Sequence, residues 1–376
     1  MTGELTVLAP GLLGPVPLLP EQAPRTPALD RLLGRGQPRH RPDAGAADTR
    51  LTGRLLERFG AAASAPYARA ADDPRWDRKG TVLHADPVHL RPDRDRLRLF
   101  DARHLGIGQD EAETLAQAVN AHLADDGLRL VTPVASRWYL ELAERPRLET
   151  RPLEAAIGRH IDGLLPTGAD ASRWAALMTE VQMLLFQSPV NRAREACGRP
   201  AVNALWLSGA GEWRALAPPP GLAKVWADQP LARGLAMASG LDVMGPDAPV
   251  PGPEPEPRPD RTGRAATGDD ETGRARAAGH DGFRAEPGLL LVEAGMADGM
   301  LDADEASWRG AVLGVEARAA QALQALRAGE LDGVTLDLCD GRQWQLTLGR
   351  LRRFWRRPQP LAERLDQPPA RSGTAR

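Results

Sequence analysis

The chain has 376 residues, 42% hydrophobic and 26% charged, with 48 basic against 50 acidic side chains for a formal charge of −2. These proportions exclude wholesale disorder and fibrous architectures, and they supply enough apolar mass for one large core or two modest ones. Near-neutrality removes the global electrostatic reason to expect a nucleic-acid or membrane-surface partner.

The apolar start predicts a first buried strand, Leu5 to Ala9, followed by a turning loop. A secretory leader over Leu5 to Leu19 is disfavoured because it lacks a basic flank and Pro10, Pro15, Pro17 and Pro20 interrupt any helix. No apolar run reaches the roughly 20 residues of a membrane-spanning helix. Cys197 and Cys339 match no metal-ligand spacing and form no CxxC pair, so a reducing, cytoplasmic setting is expected. Arg35 to Asp48 is rich in Pro, Arg and Asp and is expected to be a loop.

Leu51 to Phe59 reads as a helix, Thr81 to Ala85 as a strand, and Leu97 to Phe100 as a second strand after a polar turn. Asp110 can cap a helix to about Leu123, with Leu115, Val119 and Leu123 on one side. From Asp170 to Gln187, the spacing of Trp174, Leu177, Met178, Val181, Leu184 and Leu185 predicts an amphipathic helix that Pro189 ends. Asn203 to Leu207 reads as a buried strand entering a glycine-rich turn at Gly209 and Gly211.

Between Gly245 and Gly288, 16 of 44 residues are Pro or Gly, a composition that favours extended linker geometry. Beyond it, Leu289 to Val292 is a short strand. Asp302 or Asp304 caps a long helix with the stripe Trp308, Val312, Val315, Ala319, Leu323 and Leu326, stopped by Gly329. A hairpin follows. A three-residue loop Cys339-Asp340-Gly341 pairs Leu336 with Trp344 and Val334 with Leu346, keeping the apolar faces together, whereas a two-residue turn would set Leu336 against Gln345. Arg350 to Arg357 interleaves aromatics with arginines; a terminal helix laying Phe354 and Trp355 on the core is expected over a base-stacking segment.

The fold expected is α/β, a mixed sheet covered by helices. Its parts are a main domain over 1–244, a disordered Pro/Gly-rich linker over 245–288, a C-terminal β-α-β-β segment over 289–357 packing on or extending the main sheet, and a flexible tail over 358–376.

The densest polar motif is Ala85-Asp-Pro-Val-His-Leu-Arg-Pro-Asp93, where the predicted strand ends, and strand ends are where ligand crevices gather in open α/β sheets. Asp86 and His89 could share a divalent cation such as Mg²⁺ or Mn²⁺, with a third ligand from His84, Asp93 or Asp101. Alternatively, Asp86 caps a turn while His89 satisfies a backbone carbonyl. Glu180 and Gln182 border the apolar stripe of their helix and either bind a ligand or satisfy irregular backbone at Ser188 to Asn191. The glycines of Ser208-Gly-Ala-Gly211 and His104-Leu-Gly-Ile-Gly108 resemble phosphate cradles only weakly, because Walker and dinucleotide spacings are absent.

Taken as a set, ADPVHLRPD, Arg137-Trp-Tyr-Leu140, Leu164-Leu-Pro166, Glu180-Val-Gln-Met-Leu-Leu185, Pro189-Val-Asn191 with Arg194-Glu195, Asn203-Ala-Leu-Trp206 and Arg353-Phe-Trp-Arg-Arg357 resemble the proteobacterial RpfE-type family, whose members are often labelled cofactor-independent phosphoglycerate mutase-like. The resemblance implies a cytoplasmic regulatory or ligand-sensing protein with a crevice for a small polar or phosphorylated ligand. The candidate binding residues are Asp86, His89, Arg91, Glu180, Gln182, Asn191, Arg194 and Asn203, with Asp86 and His89 as partial metal ligands. The alternatives are metal-assisted phosphoryl transfer and a non-catalytic partner-binding role. A complete two-metal site is not visible: no Asp follows the first strand, no Asp-His dipeptide occurs, and the only histidine past residue 160 is His280.

Overall fold

A computed structural model describes residues 3–14, 16, 22–40, 51–94, 96–245, 283–302, 304–353, 355–358 and 360–365. In chain order the elements are β1 (Gly3–Leu8), α1 (Pro27–Arg35), β2 (Gln37–His40), α2 (Leu51–Phe59), α3 (Ala65–Asp72), β3 (Thr81–Asp93), β4 (Arg96–Phe100), α4 (Ala102–Leu105), α5 (Gln109–Leu123), β5 (Arg129–Val134) and β6 (Arg137–Leu142). There follow α6 (Ala171–Gln187), α7 (Pro189–Ala196), β7 (Ala204–Glu212), β8 (Lys224–Trp226), α8 (Pro230–Ala238), β9 (Asp242–Met244), β10 (Leu289–Val292), α9 (Gly295–Leu301), α10 (Glu305–Ala328), β11 (Leu331–Asp337), β12 (Arg342–Thr347) and α11 (Leu348–Leu351).

Two sheets form. The first has seven strands in the order β2-β12-β11-β1-β10-β8-β9. Its centre is parallel, because β1 pairs in parallel with both β10 and β11, while β12 and β2 close one side antiparallel. The α/β architecture with a mixed, helix-covered sheet is therefore present, and the C-terminal strands flank the N-terminal one within a single sheet. Alternation of side chains builds the layers. Leu5 and Val7 of β1 with Leu289 and Leu291 of β10 pack under α1 and α10, whereas Leu8, Leu290 and Val292 pack under α2, α3 and α8.

The second sheet is antiparallel and has five strands, β4-β3-β6-β5 with β7 on the other side of β3. Its Leu83, Ala85, Trp138, Leu140, Leu205 and Leu207 face α5 and α6. The opposite face, carrying Val82 and Tyr139, turns toward α3 and the first sheet.

The hairpin has the expected register: Leu336 pairs with Trp344 and Val334 with Leu346, across a loop in which Cys339 and Gly341 have φ of 58° and 90°. The α10 stripe is wholly buried. Of the two cap candidates, Asp304 is the cap, accepting from the N–H groups of Ala306 and Ser307 at 3.0 and 3.1 Å. Asp304→Ala is expected to lower unfolding free energy by about 1 kcal/mol, measurable by urea denaturation.

Other elements differ from expectation. β3 runs through the polar motif to Asp93 rather than stopping at Ala85. Pro87 falls between the stretches of β3 that pair with β6 (Thr81 to His84) and with β4 (His89 to Asp93), so its missing N–H leaves no ladder bond unmade. Gly209 and Gly211 lie within β7, not in a turn; Gly209, at φ 66°, leaves room for the Ser64 hydroxyl. Gly108 rather than Asp110 is the cap of α5, its N–H donating to Glu111 Oε2 at 3.0 Å. Part of the expected loop Arg35 to Asp48 forms edge strand β2, because Gln37 to His40 pair with β12; residues 41–48 lie outside the described residues. Most of the proposed linker also lies outside them, but Phe283 and Ala285 at its end are buried in the first core. Leu361 and Leu365 of the proposed tail are buried there too. The helix expected over Arg350 to Arg357 is only α11, and Trp355 is exposed rather than laid on the core; Phe354 lies outside the described residues. No helix among the described residues is long and apolar enough to cross a membrane.

Candidate functional site

The carboxyl ends of the parallel strands open on a cavity of about 550 Å³ between the two sheets. Pro10 and Gly11 after β1, Ala294 after β10, Gln229 after β8 and Leu338 after β11 form one wall; His84, Asp86 and Ser208 of the second sheet form the other. This is where an open α/β sheet gathers loops around a ligand. Ser64, which precedes α3, also borders the cavity, and its hydroxyl makes no capping hydrogen bond.

On β3, His84 and Asp86 are two residues apart and so share the inward face. The His84 ring lies on Tyr139 at 5.2 Å between centroids. The Tyr139 hydroxyl donates to Asp72 Oδ2 at 2.7 Å, and Arg137 grips the same carboxylate through two bonds of 2.8 and 2.7 Å. Burial pushes the Asp86 carboxyl up to about 8, against the opposing pull of Arg137 and the Trp138 N–H. Burial also lowers His84 to about 4. At neutral pH, acid and imidazole are thus largely uncharged, neighbours in the cavity wall.

The two shifts act oppositely on stability. Raising the Asp86 value in the folded state stabilises it at low pH and loses that contribution between about 4 and about 8. Lowering His84 gives a contribution that grows between about 4 and the ordinary imidazole value near 6.5. They offset each other below about 6.5, leaving Asp86 alone above it. Wild type is expected to lose on the order of 1–2 kcal/mol from pH 6.5 to 8 relative to Asp86→Asn, as read from urea denaturation at both pH values.

Asp101, which lines the cavity, forms a cluster at its rim with His104 and Asp302, which lie behind the lining; each offers a ligand atom, all within 4.8 Å of one another. Asp101 precedes α4, and His104 lies in its last turn. His104 Nδ1 is 2.9 Å from Asp101 Oδ1, and Nε2 is 3.5 Å from Asp302 Oδ1, an oxygen that is buried and takes part in no hydrogen bond. Arg103 joins Asp101 at 2.6 Å, Asp298 at 2.6 Å and Asp302 at 3.5 Å. Three carboxylates less one guanidinium leave the rim negative. Mg²⁺ or Ca²⁺ holds oxygens at about 2.0–2.6 Å, so ligand atoms within 4.8 Å of one another can share one such ion. Oxygen and imidazole donors together fit a divalent cation.

Of the eight candidate binding residues Asp86 lines the cavity, joined there by His84 and Asp101, two of the three residues offered as a third metal ligand, and by Ser208. His89 does not join it: three residues along a strand reverse the face, and His89 Nδ1 lies 2.9 Å from Ala201 O. Arg91 is exposed and stacks on Phe100 at 4.6 Å. Asn203 bridges to the N–H and C=O of Leu90 at 2.7 and 2.9 Å, and buried Asn191 joins Leu185 O to both backbone groups of Val202. Arg194 is wholly buried, bonded to Pro200 O at 2.9 Å, Glu111 at 2.6 Å and Leu105 O. Glu180 and Gln182 are exposed, and Glu180 meets His122 at 2.8 Å. At 100° per residue each sits about 100° from the centre of the buried Trp174–Leu177–Val181–Leu185 stripe. The eight candidate residues are therefore not assembled into one crevice. Gly106 and Gly108 serve as caps of α4 and α5 rather than as an anion cradle.

Sequence reasoning missed Ser64, Arg103 and Asp298. The Asp101-x-x-His104 spacing at a helix start was the available signal for the rim, but Asp302 arrives from the far end of the chain.

No family model matches the chain. It is 26% identical over 139 residues to the 2,3-bisphosphoglycerate-independent phosphoglycerate mutase of Methanosarcina barkeri (strain Fusaro / DSM 804), covering 35% of this chain. The match spans 34% of that relative's length. Among solved structures, the cofactor-independent phosphoglycerate mutase from Thermoplasma acidophilum DSM 1728 aligns over 93% of this chain and 90% of its own, at 16% identity and TM-score 0.36. The PH0037 protein from Pyrococcus horikoshii aligns over 92% and 86%, at 15% identity and TM-score 0.44. The chain is thus weakly similar to cofactor-independent phosphoglycerate mutase-like proteins.

Proposed function

We propose that the chain is a cytoplasmic ligand-sensing protein of the RpfE type, which binds a small phosphorylated molecule in the cavity between its sheets. The observation that carries this reading is the cavity itself, placed at the parallel strands' carboxyl ends and lined by Asp101, which also belongs to an acid–histidine cluster with His104 and Asp302. Asp101, His104 and Asp302 would hold a divalent cation, which supplies the positive charge a phosphate needs in an acidic surround. Binding is favoured over phosphoryl transfer because transfer between two metals needs two sets of acidic ligands. Among the described residues one such cluster occurs. The aspartate at the end of β11, Asp337, is already engaged by Arg54, Gln343 and the Cys339 N–H at 2.6, 2.6 and 2.9 Å.

The second reading, metal-assisted phosphoryl transfer, is favoured by the buried Ser64 hydroxyl at the cavity and by the similarity to the Methanosarcina mutase. Calorimetric titration with 3-phosphoglycerate and glycerol 3-phosphate, with and without Mn²⁺, separates the two when joined to mutase and phosphatase assays. Sensing predicts saturable, Mn²⁺-strengthened binding without turnover. Turnover lost in Ser64→Ala would establish transfer instead, and absence of binding would contradict both and leave a partner-binding role.

A further inference from the structure

We propose that His84 and Asp86 form a hydroxyl-reading subsite in the inner wall of the cavity, so that the ligand is a phosphorylated polyol or hydroxy acid rather than a bare phosphate. The proposal rests on the reading of the cavity as a ligand site. Asp86 is 7% exposed, and its Oδ1 is buried without a hydrogen-bond partner; His84 Nδ1 is likewise buried and unpartnered. His84 Nδ1 and Asp86 Oδ2 are 4.0 Å apart, too far to satisfy each other. Buried polar groups are normally paired, and both residues line open space large enough for a small molecule.

The chemistry of the pair selects the group that completes it. A hydroxyl can accept from the Asp86 carboxyl and donate to the imidazole, bridging the gap with one oxygen. Phosphate or carboxylate would bring negative charge into a cavity lined by Asp101, and the Arg137 guanidinium there is committed to Asp72. An ammonium would require Asp86 to ionise where burial opposes it. Because burial keeps both groups uncharged at neutral pH, the inner wall accepts a neutral partner. Ser208, buried and paired with His84 across β3 and β7, adds a second hydroxyl to the same wall.

Glycerol 3-phosphate and n-propyl phosphate differ only in hydroxyl groups and test this by calorimetry in the presence of Mn²⁺. Wild type is expected to prefer glycerol 3-phosphate by about tenfold or more, since a site built to bond a hydroxyl rejects the analogue lacking it. Asp86→Asn, which retains an uncharged donor, should keep most of the preference. His84→Leu and Asp86→Leu should bring the ratio near one, chiefly by lowering the affinity for glycerol 3-phosphate. Equal wild-type affinity for the two probes would overturn the subsite, as would a parallel loss of both in the leucine variants. The wild-type ratio stands as the test even where a leucine variant does not fold. Binding of neither probe by wild type would remove the cavity reading and the subsite with it.

Discussion

Trp308→Ala is expected to lower unfolding free energy by about 3–5 kcal/mol and to weaken ligand binding in whatever protein still folds. Trp308 is fully buried in the α10 stripe beneath the first sheet. Its indole Nε1 donates to Gly11 O at 3.1 Å, tying α10 to the loop that leaves β1. That loop is closely packed: Gly11 has φ 82°, and a Cβ there would come within 2.8 Å of Ala297 N. At Gly299, on α9, a Cβ would come within 2.6 Å of Trp308 N. The aromatic ring therefore fills the core, and its indole N–H fixes the β1 exit, one wall of the cavity, against which α9 packs. Trp308→Phe keeps most of the volume and loses the indole bond, so a smaller loss of about 1–2 kcal/mol is expected. Urea denaturation measures both, and a loss below 1 kcal/mol for the alanine variant would contradict this account of the packing.

Arg194→Met should destabilise by about 3 kcal/mol, because it leaves the carbonyls of Pro200 and Leu105 without their donors and removes one of two arginines from Glu111. Arg199, 2.6 Å from Glu111, limits the electrostatic part of the loss. The planar fork reaches three acceptors at once, so Arg194→Lys is not expected to restore stability. Its effect should extend to the rim: Leu105 ends α4, the helix that carries Arg103 and His104. Arg194 is thus a positioning residue, and Mn²⁺ affinity should fall along with stability in both variants. Denaturation combined with Mn²⁺ titration checks the pair; unchanged Mn²⁺ affinity in a destabilised, folded variant would separate α4 from the cluster.

What could be foreseen from residues follows from how local the determining interaction is. The hairpin register was legible because side chains alternate with period two, and one loop length alone kept Trp344 and Leu346 opposite apolar partners. The α10 helix was legible because its stripe repeats over about five turns and Asp304 and Gly329 mark its ends. The course of β3 was not. Pro87 looks like a terminator, and only the tertiary arrangement, in which β6 and β4 bond different stretches of one strand, makes a proline harmless there. The site was harder still. Asp86 was identifiable as a polar residue in an apolar setting, but its partner is His84 on the same strand face, not His89 on the other. Polar residues drawn from sequence motifs, Asn191, Arg194 and Asn203 among them, turned out to satisfy backbone at irregular joints, which is the commoner use of buried polar groups. The rim joins Asp101 and His104 to Asp302, a contact across nearly the whole chain that no local pattern encodes.

The most direct test is a crystal grown with Mn²⁺ and glycerol 3-phosphate. The account predicts anomalous density bounded by Asp101, His104 and Asp302, with the phosphate beside it and a ligand hydroxyl between His84 and Asp86. Binding in solution with the ligand located outside the cavity between the two sheets would contradict it.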